Sequence, residues 1–174
     1  KEGKKPDIGN VRFHKTWLIV LACLIQTITR VMGSKGIRFV VEYSLVIQGI
    51  VFILLFICLW FNRRYIGLWV TGVGASLNAL VMVLNGGRMP VSLEIMKNAG
   101  LMEAANILST GADSRHVVMS GSTRLGFLAD IIYLPGFLGM GMPVVSIGDL
   151  IIALGIFILT LELCTCSMKL CKEH

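Results

Sequence analysis

Val51-Phe52-Ile53-Leu54-Leu55-Phe56-Ile57-Cys58-Leu59-Trp60-Phe61 has no strongly polar side chain, and Asn62-Arg63-Arg64 follows at once. Extended back to about Val40, the run has only Glu42 and Gln48 as strongly polar members. That gives about the 20 residues a helix needs to cross a bilayer. After a turn of two or three residues, a second apolar stretch runs from about Ile66 to Leu84. Two helices joined so tightly must run antiparallel, so 40–61 and 66–84 are read as a transmembrane hairpin.

Outward from this hairpin, two further apolar blocks cover about 17–32 and 144–163. The first is short for a bilayer at ~1.5 Å per residue, and Arg30 is expected to snorkel to the interface. Composition agrees. Of 174 residues, 55% are hydrophobic and 15% charged, against about a quarter charged in a soluble domain, and the mean hydropathy is +0.79. The predicted fold class is all-α: one membrane domain over 1–174, a polytopic bundle of four spans with the lipid bilayer as its first partner. The net charge of +6 does not imply nucleic acid, because the basic residues lie at the ends of apolar blocks, where cytoplasmic retention and anionic lipid account for them.

Orientation follows from where those charges fall. Lys1, Lys4, Lys5, Arg12, Lys15, Arg63, Arg64, Lys169 and Lys172 share one side. Arg30, Lys35, Arg38, Arg88, Lys97, Arg115 and Arg124 share the other, mostly in a long loop that counts less. Both ends of the chain are therefore expected in the cytoplasm of a multi-pass cell-membrane protein, with 85–143 outside. No signal peptide is visible in Lys1–Lys15.

Within the helices, Gly67, Thr71 and Ala75, and also Gly72 and Ser76, recur every fourth residue. Small residues at that spacing let backbones approach closely, which predicts a packing spine. Gln26, Thr27, Thr29 and Asn78 are expected to bond across helices, with a pore lining as the sharper alternative. Ser146 and Asp149 form a capping-box-like pair at the start of the last helix. The alternative is an acidic binding site at Asp149.

The 59 residues from Asn85 to Pro143 are too many for a passive turn. Asn85-Gly86-Gly87 should end the third span in left-handed geometry. Leu93, Met96 and Ala99, then Leu101, Ala104, Ala105 and Leu108, stand at helical spacing and read as two short amphipathic helices. Leu134 to Pro143 is too apolar for a solvated loop and too rich in Gly and Pro for a helix, so it reads as re-entrant or bundle-capping. His116, Asp130, Arg88 and Arg124 form the candidate site. They could bind an anionic headgroup or supply acid–base groups. In the blander reading the two arginines pair with Asp130 or lipid phosphate and hold the loop down. Cys164, Cys166 and Cys171 could bind zinc or copper, but they lack a second pair of ligands and are read as free thiols, so no cofactor is expected.

Asn85-Gly86-Gly87-Arg88-Met89-Pro90-Val91, Arg115-His116, Thr123-Arg124-Leu125 with Phe127-Leu128 and Asp130, and Ser146-Ile147-Gly148-Asp149 together resemble a domain-of-unknown-function family of small bacterial integral membrane proteins. The resemblance covers most of the chain and implies a location and a fold, with no known activity. It also implies one more hydrophobic helix at the N-terminus, making five spans. Gly126, Ala129 and Tyr133 stand where the family tends to have Pro, Gly and Pro.

Three functions follow as expectations. The first is a scaffold or accessory subunit of a bacterial membrane complex, with a membrane-protein partner or a second copy of itself. The second is a small-solute or ion translocator along Gln26, Asn78 and the broken segment before the last span. The third is a membrane enzyme on a lipid-linked substrate, using His116 and Asp130.

Overall fold

A computed structural model describes residues 13–111, 113, 115–136 and 143–170, the last six and Ser34 without their side chains. The lead-in before Phe13, the Gly/Pro-rich centre of the proposed re-entrant segment, the Cys166 side chain and Cys171 lie outside the described residues.

The chain is mostly helical. α1 is Trp17–Ser34, α2 Phe39–Glu42, α3 Ser44–Phe61, α4 Ile66–Leu84, α5 Leu93–Asn98, α6 Met102–Ser109 and α7 Ile147–Leu170. Among the described residues, three helices are long and apolar enough to cross a membrane: Ser44–Phe61, Ile66–Leu84 and Ile147–Cys164. Trp17–Gly33 is a shorter apolar helix. The exposed large apolar side chains, such as Ile53, Trp60, Val73, Val83, Leu154 and Phe157, suit a lipid solvent and would be costly in water.

α4 and α7 share the most extensive interface, and its cause is the absence of side chains. A Cβ on Gly74 would come 2.5 Å from the Gly148 carbonyl oxygen, and one on Gly67 2.6 Å from that of Gly155. Of the two small-residue rows, the one through Gly67, Thr71 and Ala75 faces α7. Ser76 is exposed, and Gly72 meets only Leu59. Glu162 of α7 closes the far end of the joint. Its carboxylate accepts the Ile66 and Gly67 N–H groups at 2.9 and 2.8 Å, filling the free donors at the start of α4. α3 packs between α1 and α4. Gln26 Nε2 donates to Gln48 Oε1 across α1 and α3 at 2.8 Å.

The second predicted span breaks at Tyr43, dividing α2 from α3. The turn after α4 presses against that break. Gly87, at φ +83°, would drive a Cβ into the Ser44–Leu45 backbone, and the Ser44 hydroxyl donates to the Gly86 carbonyl at 2.9 Å. Gly87 N–H returns to the Met82 carbonyl at 2.7 Å, ending α4 as a left-handed glycine turn does.

The two amphipathic helices of the crossover are present as α5 and α6. The all-α expectation needs amendment beside them, because two short sheets also form. β1 (Met89–Val91) pairs in parallel with β2 (His116–Val118), and β3 (Ile132–Tyr133) pairs antiparallel with β4 (Val144–Val145). The predicted start of the last span at Val144 is thus a strand, and α7 begins three residues later. Leu134 N–H donates to the Pro143 carbonyl at 2.8 Å, so 134–143 leaves and returns at one place. Two apolar clusters fix this cap. Val91, Met96, Ala105 and Leu108 fill its interior. Val81, Met82, Met89 and Leu128 tie it to the end of α4.

Candidate acid–base site

β1 positions the site from both edges. On one edge, Met89 and Pro90 pair with His116 and Val117. On the other, Asp130 N–H donates to the Pro90 carbonyl at 3.0 Å and its carbonyl accepts from Ser92 N–H at 3.3 Å. Proline has no N–H to give, but its carbonyl is enough to hold Asp130. The side chains of His116 and Asp130 then meet, with Nε2 3.9 Å from Oδ2.

The other ring nitrogen of His116 is held by a residue that the sequence reading passed over. Asp113 Oδ2 lies 2.9 Å from His116 Nδ1. Its Oδ1 accepts the backbone N–H groups of Arg115 and His116 at 2.7 and 3.0 Å. Burial alone would raise the Asp113 carboxyl. The His116 hydrogen bond and charge and the two backbone N–H groups outweigh it, and hold the group well below the usual carboxylate range. An ionised Asp113 therefore orients the imidazole so that Nε2 faces Asp130, the arrangement by which a base is aligned by a third group.

Asp130 is in the opposite condition. It is buried at 5% exposure, and its Oδ1 has no hydrogen-bond partner. Burial pushes its carboxyl up to about 7, helped by the nearby Asp149 charge and opposed by His116 and Arg115. Burial also lowers Arg115, as does repulsion by Arg30, against the pull of Asp113 and Asp130, although an arginine stays charged. Arg115, which the sequence reading treats only as a loop charge and within the Arg115-His116 motif, is thus a further charge beside the site. The signal for Asp113 was the Asp113-x-x-His116 spacing, which lets a carboxylate accept its own turn's N–H groups and the ring together.

The four predicted residues do not all converge. His116 and Asp130 come together. Arg124 stands on a loop pinned through its backbone: its N–H donates to Asn85 Oδ1 at 3.0 Å and its carbonyl accepts from Asn85 Nδ2 at 2.9 Å. Among the described residues the side chain within ion-pair reach of Asp130 is His116, not Arg88 or Arg124. Arg88 Nε is buried with no hydrogen-bond partner.

Asp149 forms the expected capping box. Its N–H donates to Ser146 Oγ, and its carboxylate accepts Ser146 N–H, both at 3.0 Å. Asn78 Nδ2 donates to its other oxygen at 2.8 Å, and the Ser146 hydroxyl lies 2.9 Å from Asn78 Oδ1. Cys164 is exposed and free, and no group of three metal-ligating side chains occurs among the described residues.

α1 to α6, the glycine-turned exit from α4, the His116–Val118 strand, the Ser146–Asp149 cap and most of the apolar part of α7 fall within one matched stretch. The sequence profile of the family of unknown function DUF5317 matches residues 10–161. The chain belongs to that family. A curated relative, an uncharacterized protein of Thermotoga maritima, is 32% identical over 108 residues, 62% of this chain. The matched stretch is 58% of that relative's own length, so this chain spans only part of it. No solved structure matches the chain. The family carries no assigned chemistry, so function has to be argued from the site.

Proposed function

We propose that this is a multi-pass membrane protein of four spans in 1–174, with the 85–143 crossover as an extracytoplasmic cap. In that cap His116 and Asp130 act as an acid–base pair on a substrate presented at the membrane interface. The observation that carries this is the line Asp113–His116–Asp130. One ionised carboxylate orients the ring, and one buried carboxyl, poised near neutrality, waits at the other nitrogen with an oxygen left open. A buried carboxyl beside an oriented imidazole is the arrangement that acid–base chemistry requires.

The distribution of polar groups favours a one-sided site over a path through the bundle. Gln26–Gln48, Ser44 and Asn78–Ser146–Asp149 all lie in the half of the spans nearest the cap. In the other half Thr71 and Thr160 bond back to their own helices, and the inter-element bonds of Asn62 and Glu162 lie at the helix ends. That pattern fits a substrate that enters from the cap side or laterally from the lipid, such as a lipid-linked molecule, and weighs against solute translocation. A scaffold or accessory subunit needs no open, titrating carboxyl, which moves that reading to second place.

The test compares lipid extracts, by mass spectrometry, from cells carrying wild-type protein, His116→Ala or Asp130→Asn. A lipid-linked species altered in the same way by both variants is the expected result. Unchanged lipids together with a stoichiometric co-purifying protein would assign the chain to a complex instead. Solute uptake into proteoliposomes, abolished by either variant, would assign it to transport.

A further inference from the structure

Arg115 stands beside the His116–Asp130 pair and is fixed through its backbone. Its N–H donates to Asp113 Oδ1 at 2.7 Å, and its carbonyl accepts from Met89 N–H at 2.6 Å. Its guanidinium makes no hydrogen bond and no ion pair among the described residues. Asp113 and Asp130 attract it, and Arg30, near the cap end of α1, is close enough to repel it. Neither carboxylate answers the guanidinium directly. Asp113 spends its oxygens on the imidazole and on two backbone N–H groups, and Asp130 is turned to His116 Nε2. Positions 112, 114 and 137–142, outside the described residues, contain no acidic residue.

Two guanidiniums that repel each other both stay charged. An anion between them turns that repulsion into attraction. A guanidinium recognises an anion as a planar fork that takes two oxygens. A carboxylate can fill one such fork, and a phosphate has oxygens enough for both. Arg30 also lies near the end of an apolar helix, where a long cation reaches toward the depth of lipid phosphates. Asp130 does not oppose such a ligand. Burial pushes its carboxyl up to about 7, so below that pH its neutral form presents no charge to an anion.

We propose that Arg115 and Arg30 hold the phosphate of a phosphate-bearing substrate beside the His116–Asp130 pair. The proposal rests on the acid–base reading for what befalls that substrate, and names its anionic group. Its own readout is binding, so the two can fail separately.

The test is native mass spectrometry of the whole chain in mild detergent, titrated with phosphatidic acid or with diacylglycerol of the same acyl chains. Wild-type protein is expected to retain phosphatidic acid about tenfold better or more. Arg30→Gln, at an exposed side chain, and Arg115→Gln should each weaken that retention about tenfold, from the loss of charge-assisted hydrogen bonds. Arg124→Gln, on another loop of the cap, should keep it, and so should Asp130→Asn, which preserves the shape of the acid. Equal retention of the two lipids by wild-type protein would overturn the proposal without recourse to any variant. So would unchanged retention in Arg30→Gln, a surface change that leaves the fold intact. A loss in Asp130→Asn as large as in Arg115→Gln would also overturn it, because the carboxyl and not the guanidiniums would then hold the lipid. Retention in excess inorganic phosphate supports a lipid-linked phosphate, and displacement supports a soluble phosphate compound on the same two arginines. Failure of the acid–base reading looks different: arginine-dependent binding persists, while His116→Ala leaves the lipids of the cell unchanged.

Discussion

Asp149 and Asp130 stand close enough in space to feel each other's charge, yet they are held in opposite ways. Asp149 has both carboxylate oxygens occupied, by Asn78 on one side and Ser146 on the other. Asp130 is more deeply buried and has one oxygen unbonded. The first is a joint, in which every polar group is answered and the carboxylate stabilises the start of α7. The second carries an uncompensated cost, because a buried acceptor left open loses its hydration and gains nothing. A carboxylate in an apolar helical bundle is therefore not a functional signal in itself. The unanswered oxygen, with an oriented imidazole beside it, sets Asp130 apart.

The largest expected effect strikes the joint. Gly74→Leu forces a side chain where the Gly148 backbone stands, a clash no rotamer relieves. It should cost more than about 3 kcal/mol, read as loss of the folded monomer in detergent thermal melts. Retained stability would mean that α4 and α7 are not locked as described.

Next come the two aspartates of the site, with opposite signs. Asp113 has its pKa depressed in the folded chain, so its stabilisation is present above the unfolded value of ~4. It is lost only as pH falls through the lower folded value. Asp113→Asn should then destabilise by about 1.5–3 kcal/mol at neutral pH, as charge-assisted hydrogen bonds are weakened. Asp130 is raised to about 7, so its protonated form favours the folded state. Wild-type stability should fall as pH rises from ~4 toward 7 and level off above. Asp130→Asn removes that slope and should be the more stable form at pH 8, by about 1–3 kcal/mol. Denaturation profiles of the two proteins between pH 5 and 8 check this. Parallel profiles would erase the contrast between the two aspartates.

The smallest effects sharpen the picture. Asn85→Ala cuts both bonds to the Arg124 backbone and should cost about 1 kcal/mol, with faster amide exchange at 120–126. Asn78→Ala should cost about 0.6 kcal/mol, the mean for an interhelical hydrogen bond in a membrane, and no more than about 1.7 kcal/mol.

The helices were legible because their signals are local. Leu84 ends α4 where Asn85-Gly86-Gly87 says it must, and Ser146 caps α7 through a partner three residues on. The strands were not legible. Met89-Pro90-Val91 and His116-Val117-Val118 are three residues each and pair across more than twenty others, so no periodicity announces them. The site was half legible for the same reason. His116 and Asp130 stand out as rare ionisable groups in an apolar chain. That Asp113 would hold the ring depends on a turn, and the unbonded oxygen of Asp130 is a property of packing alone.

The most direct test of the acid–base site is the protonation of Asp130 itself. Infrared difference spectra of wild-type protein against Asp130→Asn, in bilayers from pH 5 to 9, isolate the carbonyl stretch of a protonated carboxyl. The account predicts a single band lost with a midpoint at about 7, absent from the variant. An Asp130 ionised across the whole range would contradict it and leave the residue a second structural joint like Asp149.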